Sequence, residues 1–121
     1  MHSINCKVLN INLPKNAHPI DREILQALVS RIISLDCDIS VWDGEEYSIR
    51  RSTVTEDVLS AMSHTGSETL QVFDNGITEK DNAYEGGITV VYGNEPEYVI
   101  ADYSSVEWLT AEIEAITDKY S

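Results

Sequence analysis

At 121 residues, with 42% hydrophobic and 24% charged side chains, the chain has the size and composition of one globular domain (1–121), long enough to bury a core without metal or disulfide support. Its formal net charge of −13 excludes direct binding of DNA or RNA, whose phosphates such a surface repels. The start of the sequence has no basic segment leading into a long apolar run, so neither a signal peptide nor a membrane span is expected, and the expected location is cytoplasmic.

Ile4 to Leu13 reads as a strand, Leu9, Ile11 and Leu13 alternating with Asn10 and Asn12, and Pro14 to Pro19 breaks it. From Ile20 or Asp21 to about Leu35, the residues Ile24, Leu25, Leu28, Val29, Ile32 and Ile33 form pairs four apart. That spacing predicts a helix with a wide apolar stripe, the central core helix of the domain. A stripe of this width also suits a homodimer, but a single-domain core consumes it more readily, so the expectation is a monomer or homodimer.

Cys37, Ile39 and Val41 alternate into Trp42, and Asp43-Gly44-Glu45-Glu46 turns the chain into a second strand, Tyr47 to Arg51. Trp42 and Tyr47 flank the turn and are placed to pair across it. Thr53 or Thr55 is the expected cap of a short helix carrying Val58, Leu59 and Met62, with Gly66 as its stop. Thr69 to Phe73 follows as a strand. Asp74 to Gly87 is polar, with Asn75-Gly76 as a turn signal and Gly86-Gly87 as a hinge, and reads as a long, mobile acidic loop.

Ile88 to Tyr92 and Tyr98 to Ala101 form a second predicted hairpin around Gly93 to Glu97. The helix after it carries Val106, Leu109, Ile113, Ile116 and Tyr120 on one face, and Ser104 and Glu107 have capping-box spacing. Glu46-Tyr47-Ser48-Ile49 echoes Glu97-Tyr98-Val99-Ile100 at a shift of 51 residues, and Glu56, Val58 and Met62 echo Glu107, Leu109 and Ile113. The chain therefore reads as two hairpin-helix units, related by duplication or by the shared demands of turn, cap and periodicity. Hairpins outnumber crossovers. The expected fold is an α+β two-layer sandwich: a mainly antiparallel sheet of about six strands with helices on one face.

No catalytic or cofactor motif stands out. His2, His18 and His64 are far apart in sequence, and Cys6 and Cys37 have no close-spaced partner, so no metal site and no nucleophile-base pair is proposed by spacing. Both cysteines read as small buried hydrophobes in a reducing compartment. No glycine-rich strand-to-helix turn is present to cradle a phosphate. Asp74 to Glu85 begins and ends like a calcium-binding loop, but Gly76 and Glu79 stand where a ligand and a glycine are needed.

What remains is charge. Residues 1–42 carry four acids and four bases, whereas the other 79 residues hold 17 acids and four bases, which is the entire −13. On the last helix Glu107, Glu114 and Asp118 fall within roughly 40° of one another and about 10 and 6 Å apart along the axis. The second spacing is of the order of that between phosphates on one strand. Trp108, off the apolar stripe, is a candidate anchor, since tryptophan is enriched among interface hot spots. Glu95 and Glu97 in the preceding turn extend the array, and so do Asp74, Glu79, Asp81 and Glu85.

The expected partner-binding residues are thus Glu95, Glu97, Glu107, Trp108, Glu114 and Asp118. The expected function is that of a small acidic intracellular interaction or inhibitor protein, not an enzyme, docking on the basic surface of a nucleic-acid-binding protein. Its sharpest form is a nucleic-acid mimic of the kind that phages and mobile elements use, on grounds of size and charge. The alternatives are a shape-specific acidic module, such as an immunity protein or assembly factor, and an enzyme using carboxylate acid-base chemistry.

Overall fold

A computed structural model of the protein describes residues 19–62, 67–77, 79–92 and 99–120. Helix α1 (Pro19–Ser34) follows the predicted stripe: Ile24, Leu25, Leu28, Val29 and Ile32 are all buried. Each such side chain contributes about 1.5–3 kcal/mol on leaving water, so this helix anchors the core. Leu35 and Asp36 close it through bonds from their N–H groups to the carbonyls of Ile32 and Ile33, with Asp36 in the left-handed region (φ 63°). Aspartate is one of the few residues that reach that region at modest cost.

After it come β1 (Cys37–Trp42), β2 (Tyr47–Ser52), α2 (Thr55–Ala61), β3 (Ser67–Asp74), the single turn α3 (Lys80–Ala83), β4 (Tyr84–Val91), β5 (Ile100–Ser105) and α4 (Glu107–Lys119). The strands form one antiparallel sheet in the order β2-β1-β3-β4-β5. Ile39, Val41, Leu70, Val72, Ile88 and Val90 line one face of it, and α1, α2 and α4 pack there through Val58, Leu59, Met62, Leu109 and Ile113. This is the expected α+β two-layer sandwich with helices on one face. Five strands are described where about six were expected; the strand expected over Ile4 to Leu13 lies outside the described residues, as do Cys6 and Gly66.

The two hairpin-helix units are present, but they differ in hand. β1 and β4 each run antiparallel to β3 and so parallel to one another, yet β2 lies outward on one side and β5 outward on the other. With α2 and α4 on the same face, no rotation superposes one unit on the other. The 51-residue echo is therefore the common signature of a hairpin followed by an amphipathic helix, and not a repeated structural unit.

Three expectations are corrected. The stretch from Asp74 to Gly87 is not a long loop: β3 runs to Asp74, a tight turn follows in which Gly76 N–H donates to Asp74 Oδ1 (2.8 Å), and β4 begins at Tyr84. Ladder pairing with Val72 and Gln71 decides the conformation of Gly86 and Gly87, which are strand residues and not a hinge. A Cβ on Gly86 would lie 2.4 Å from Ser105 Cβ and 2.7 Å from Ser105 Cα, so the glycine there allows β5 to approach.

The capping box is also absent. Ser104 belongs to β5, the N-cap of α4 is Val106 with no side-chain bond, and Val106 N–H instead donates to the Glu85 carbonyl of β4 (2.9 Å). Val106, expected on the apolar face, is 40% exposed as a result. Likewise neither Thr53 nor Thr55 caps α2, whose N-cap is Val54; Ser52 Oγ accepts from Val54 N–H (3.1 Å). In both places the strand runs on into the helix, and cross-strand or strand-end groups satisfy the first amide.

The first hairpin holds as expected at its tip. Asp43 Oδ1 accepts from the amides of Glu45 and Glu46 (both 2.8 Å), Gly44 takes φ 108°, and the rings of Trp42 and Tyr47 meet edge to face at 4.8 Å. Lower down, the register slips: Ile39 pairs with Ser52 and Val41 with Ile49, so Arg50 and Arg51 together oppose Ser40. This is a β-bulge, and Arg51 sits in it at φ 49°. At the other end of the sheet the buried Tyr92 hydroxyl lies 2.6 Å from the Met62 carbonyl and 2.8 Å from Glu68 Oε1; burial foremost, and then Glu68, keep it protonated.

Candidate functional site

Of the expected partner-binding residues, Glu95 and Glu97 lie outside the described residues, and the other four are on α4. Glu107, Glu114 and Asp118 are all exposed, away from the buried Leu109 and Ile113. Glu114 Oε2 accepts a bond from the Tyr103 hydroxyl of β5 (3.0 Å). That bond is the main reason the Tyr103 hydroxyl holds its proton more firmly than usual, and Asp102 and Asp118 add to it. Glu112, on the flank toward α1, forms a two-pronged pair with Arg31 (2.9 and 3.2 Å), and its carboxyl is pulled below the ordinary range by that bond. The pair bridges α4 to α1 at the surface, while the buried Leu109 and Ile113 seat the helix and leave the Glu107, Glu114 and Asp118 side turned to solvent.

Trp108 is not part of that stripe. Trp108 is 37% exposed and forms a wall of an open cleft of about 500 Å³ lined also by Leu35, Asp36, Cys37, Asp74 and Glu85. Each wall is positioned by an element already described. The left-handed stop of α1 presents Asp36, whose carbonyl accepts from Asn75 N–H (3.0 Å). Cys37 and Asp74 face one another as a ladder pair of β1 and β3. The bond from Val106 N–H to the Glu85 carbonyl draws the first turn of α4, and Trp108 with it, over the start of β4.

The cleft is strongly negative. The Cys37 thiol is pushed up to about 11, first by burial and then by the carboxylates of Glu85, Asp74, Asp38 and Asp36. It is thus a protonated thiol, its Sγ 3.9 Å from the Leu35 carbonyl, and no nucleophile at neutral pH. Among the described residues no three His, Cys, Asp or Glu side chains are arranged to hold a metal ion. Three carboxylates around an open bowl with an aromatic wall suit an extended organic cation better than a compact metal, because a guanidinium or ammonium on a long stem can stack on indole while its charge faces the acids.

Sequence reasoning singled out Trp108 and counted Asp74 and Glu85 as acidic-loop residues, but it did not join them. Asp36 and Cys37 were missed as site residues. The signal that could have found them is the Leu35-Asp36-Cys37 junction, where an acid stands between helix and strand at the position that takes a left-handed turn. All three histidines lie outside the described residues. Among the described residues no helix is long and apolar enough to cross a membrane. Comparison of the chain with protein-family models, with curated proteins and with solved structures finds no match.

Proposed function

We propose that the protein is a small acidic intracellular interaction protein that docks on a basic protein surface, with Trp108 and the carboxylates of Asp36, Asp74 and Glu85 receiving a lysine or arginine side chain of the partner. The observation that carries this reading is the exposed indole set in the wall of a negative cleft. An exposed tryptophan gives a docking surface its apolar anchor, while the acids steer and orient the cation. Glu107, Glu114 and Asp118 extend the same negative field along α4. In the sharper form of the proposal they stand in for phosphates, the partner is a nucleic-acid-binding protein, and the chain acts as its inhibitor.

The test is affinity capture from the native host with the wild-type chain, followed by binding measurements on the purified partner with two variants. Trp108→Ala combined with Glu85→Gln removes the anchor; Glu107→Lys, Glu114→Lys and Asp118→Lys together reverse the stripe. Loss of binding in the first variant, with steep weakening by salt, supports the docking reading. Loss in the second, together with competition by the partner's nucleic acid, supports mimicry. Binding retained in both variants at moderate salt overturns the proposal.

A further inference from the structure

Arg50 and Arg51 are neighbours in a strand, where successive side chains point to opposite faces. Here both line one pocket of about 110 Å³, with Ser40, Tyr47, Gln71 and Phe73, on the face of the sheet away from the helices. The cause is the bulge: two residues of β2 oppose Ser40, and the left-handed backbone of Arg51 swings the second arginine to the side of the first. A non-glycine residue at positive φ within a bulge is the kind of local strain that persists where the surroundings hold it and where a side chain has been re-aimed for use.

The surroundings do hold it. Arg51 N–H donates to Ser40 Oγ (2.9 Å), its guanidinium pairs with the buried Asp38, donates to the carbonyls of Asp74 (3.2 Å) and Ile77 (2.9 Å), and lies 4.6 Å from the centre of the Phe73 ring. Arg51 is therefore structural. Arg50 is not so engaged: its guanidinium stacks 4.3 Å over the Tyr47 ring and makes no ion pair with any described residue, although Glu45 and Glu46 stand exposed in the adjoining turn.

The polar groups described in the pocket leave several donors over. The Tyr47 hydroxyl donates to Gln71 Oε1 (2.9 Å), which leaves the Gln71 NH₂ group; Ser40 Oγ accepts from Arg51 and so retains its own proton to give; Arg50 has its whole fork. Among the described residues no carboxylate lines the pocket. In a chain of net charge −13, a preorganised recess of spare donors around an unpaired, stacked guanidinium is matched to one chemistry, an oxygen anion.

We infer that the bulged face of the first hairpin is a binding site for a small oxyanion, a carboxylate or phosphate group, held by the Arg50 guanidinium, the Gln71 amide and the Ser40 hydroxyl. The site lies on the opposite side of the sheet from the Trp108 cleft and stands independently of the docking reading. Tyr47 positions it twice over, by fixing the plane of Arg50 and by turning the Gln71 amide. The recess is open, so a larger ligand carrying the anionic group is accommodated on the exposed face of the sheet.

The experiment is an NMR titration of the isotopically labelled full chain with inorganic phosphate and, separately, with acetate, at constant ionic strength set with sodium chloride. Expected are saturable shifts at the Arg50 Nε–H, the Gln71 side-chain NH₂ and the Ser40 amide. Saturation by acetate alone assigns a carboxylate and by phosphate alone a phosphate. Arg50→Gln should weaken binding by about tenfold or more, Arg50→Lys by less, and Trp108→Ala not at all. Arg50 is exposed, so these variants keep the fold, which the dispersion of the remaining resonances verifies. Shifts that fail to saturate with both anions, or that persist unchanged in Arg50→Gln, overturn the inference.

Discussion

The guanidinium of Arg51 closes over the carboxylate of Asp38, which is only 2% exposed, and joins β2 to β1 on the face the helices do not cover. Such a pair is far costlier to break than to replace. Arg51→Ala leaves a buried charge without its partner and should destabilise the domain by about 3 kcal/mol. Arg51→Met with Asp38→Leu removes both charges and should regain most of that loss. Chemical denaturation of the three proteins checks the pattern; equal losses in the single and double variants would show that the bulge, and not the ion pair, depends on Arg51.

Gly86 supports β5 in the same local way. A Cβ there meets the Ser105 backbone at 2.7 Å and the Ser104 carbonyl oxygen at 2.8 Å, groups that cannot turn aside as a flexible side chain would. Gly86→Ala should therefore cost about 1–3 kcal/mol by overpacking. Val106 N–H is bonded to Glu85 O next door, so the same change should also disturb the start of α4 and move Trp108. Denaturant unfolding gives the first effect, and the amide shift of Val106 gives the second.

Cys37 yields a pH prediction. The unfolded thiol ionises near 9.0 and the folded one near about 11, so in this window the unfolded chain has lost a proton that the folded chain still holds. The stability contributed by the neutral thiol is complete below about pH 9 and is lost as the pH rises toward 11. In a Cys6→Ser variant, alkylation of Cys37 by iodoacetamide at pH 8 should proceed about a hundredfold more slowly than for a free cysteine, from thiolate fraction alone. Asp74→Asn with Glu85→Gln should speed it, since both carboxylates raise the thiol. An unchanged rate would mean the negative field in the cleft is weaker than its geometry implies.

The contrast between what could and could not be read from the sequence follows from the range of the interactions. Apolar periodicity reports on burial, so α1 and the core faces of β1 and α4 were legible from Ile24, Ile39, Leu109 and their neighbours. Asp43-Gly44 and the Trp42 and Tyr47 pair are local in sequence, and they too were legible. Gly86 and Gly87 read as a hinge in the sequence because their ladder partners are distant, Val72 and Ser105 lying 14 and 19 residues from Gly86, and glycine has no side chain to record them. The caps failed for a similar reason: Val106 is satisfied by Glu85, a contact made by β4 and not by a nearby serine. The cleft around Trp108 gathers Asp36, Asp74 and Glu85 from three separate junctions, and no spacing rule connects them.

Trp108 offers the most direct measurement of that cleft. In a Trp42→Phe variant the remaining indole emission comes from Trp108 alone, and phenylalanine keeps an aromatic ring against Tyr47. Trp108, 37% exposed, should emit toward the red and be quenched readily by neutral acrylamide. Charged quenchers then report the sign of the surroundings: the carboxylates of Asp36, Asp74 and Glu85 should concentrate caesium ions and repel iodide. Caesium should therefore quench more efficiently than iodide relative to their efficiencies on free tryptophan. The gap should narrow at high ionic strength, where charges more than about 3 Å apart are screened at 1 M salt. Asp74→Asn with Glu85→Gln should narrow it further at low salt. A blue emission that resists all three quenchers would place the indole inside the protein and remove Trp108 as the anchor of the proposed docking surface.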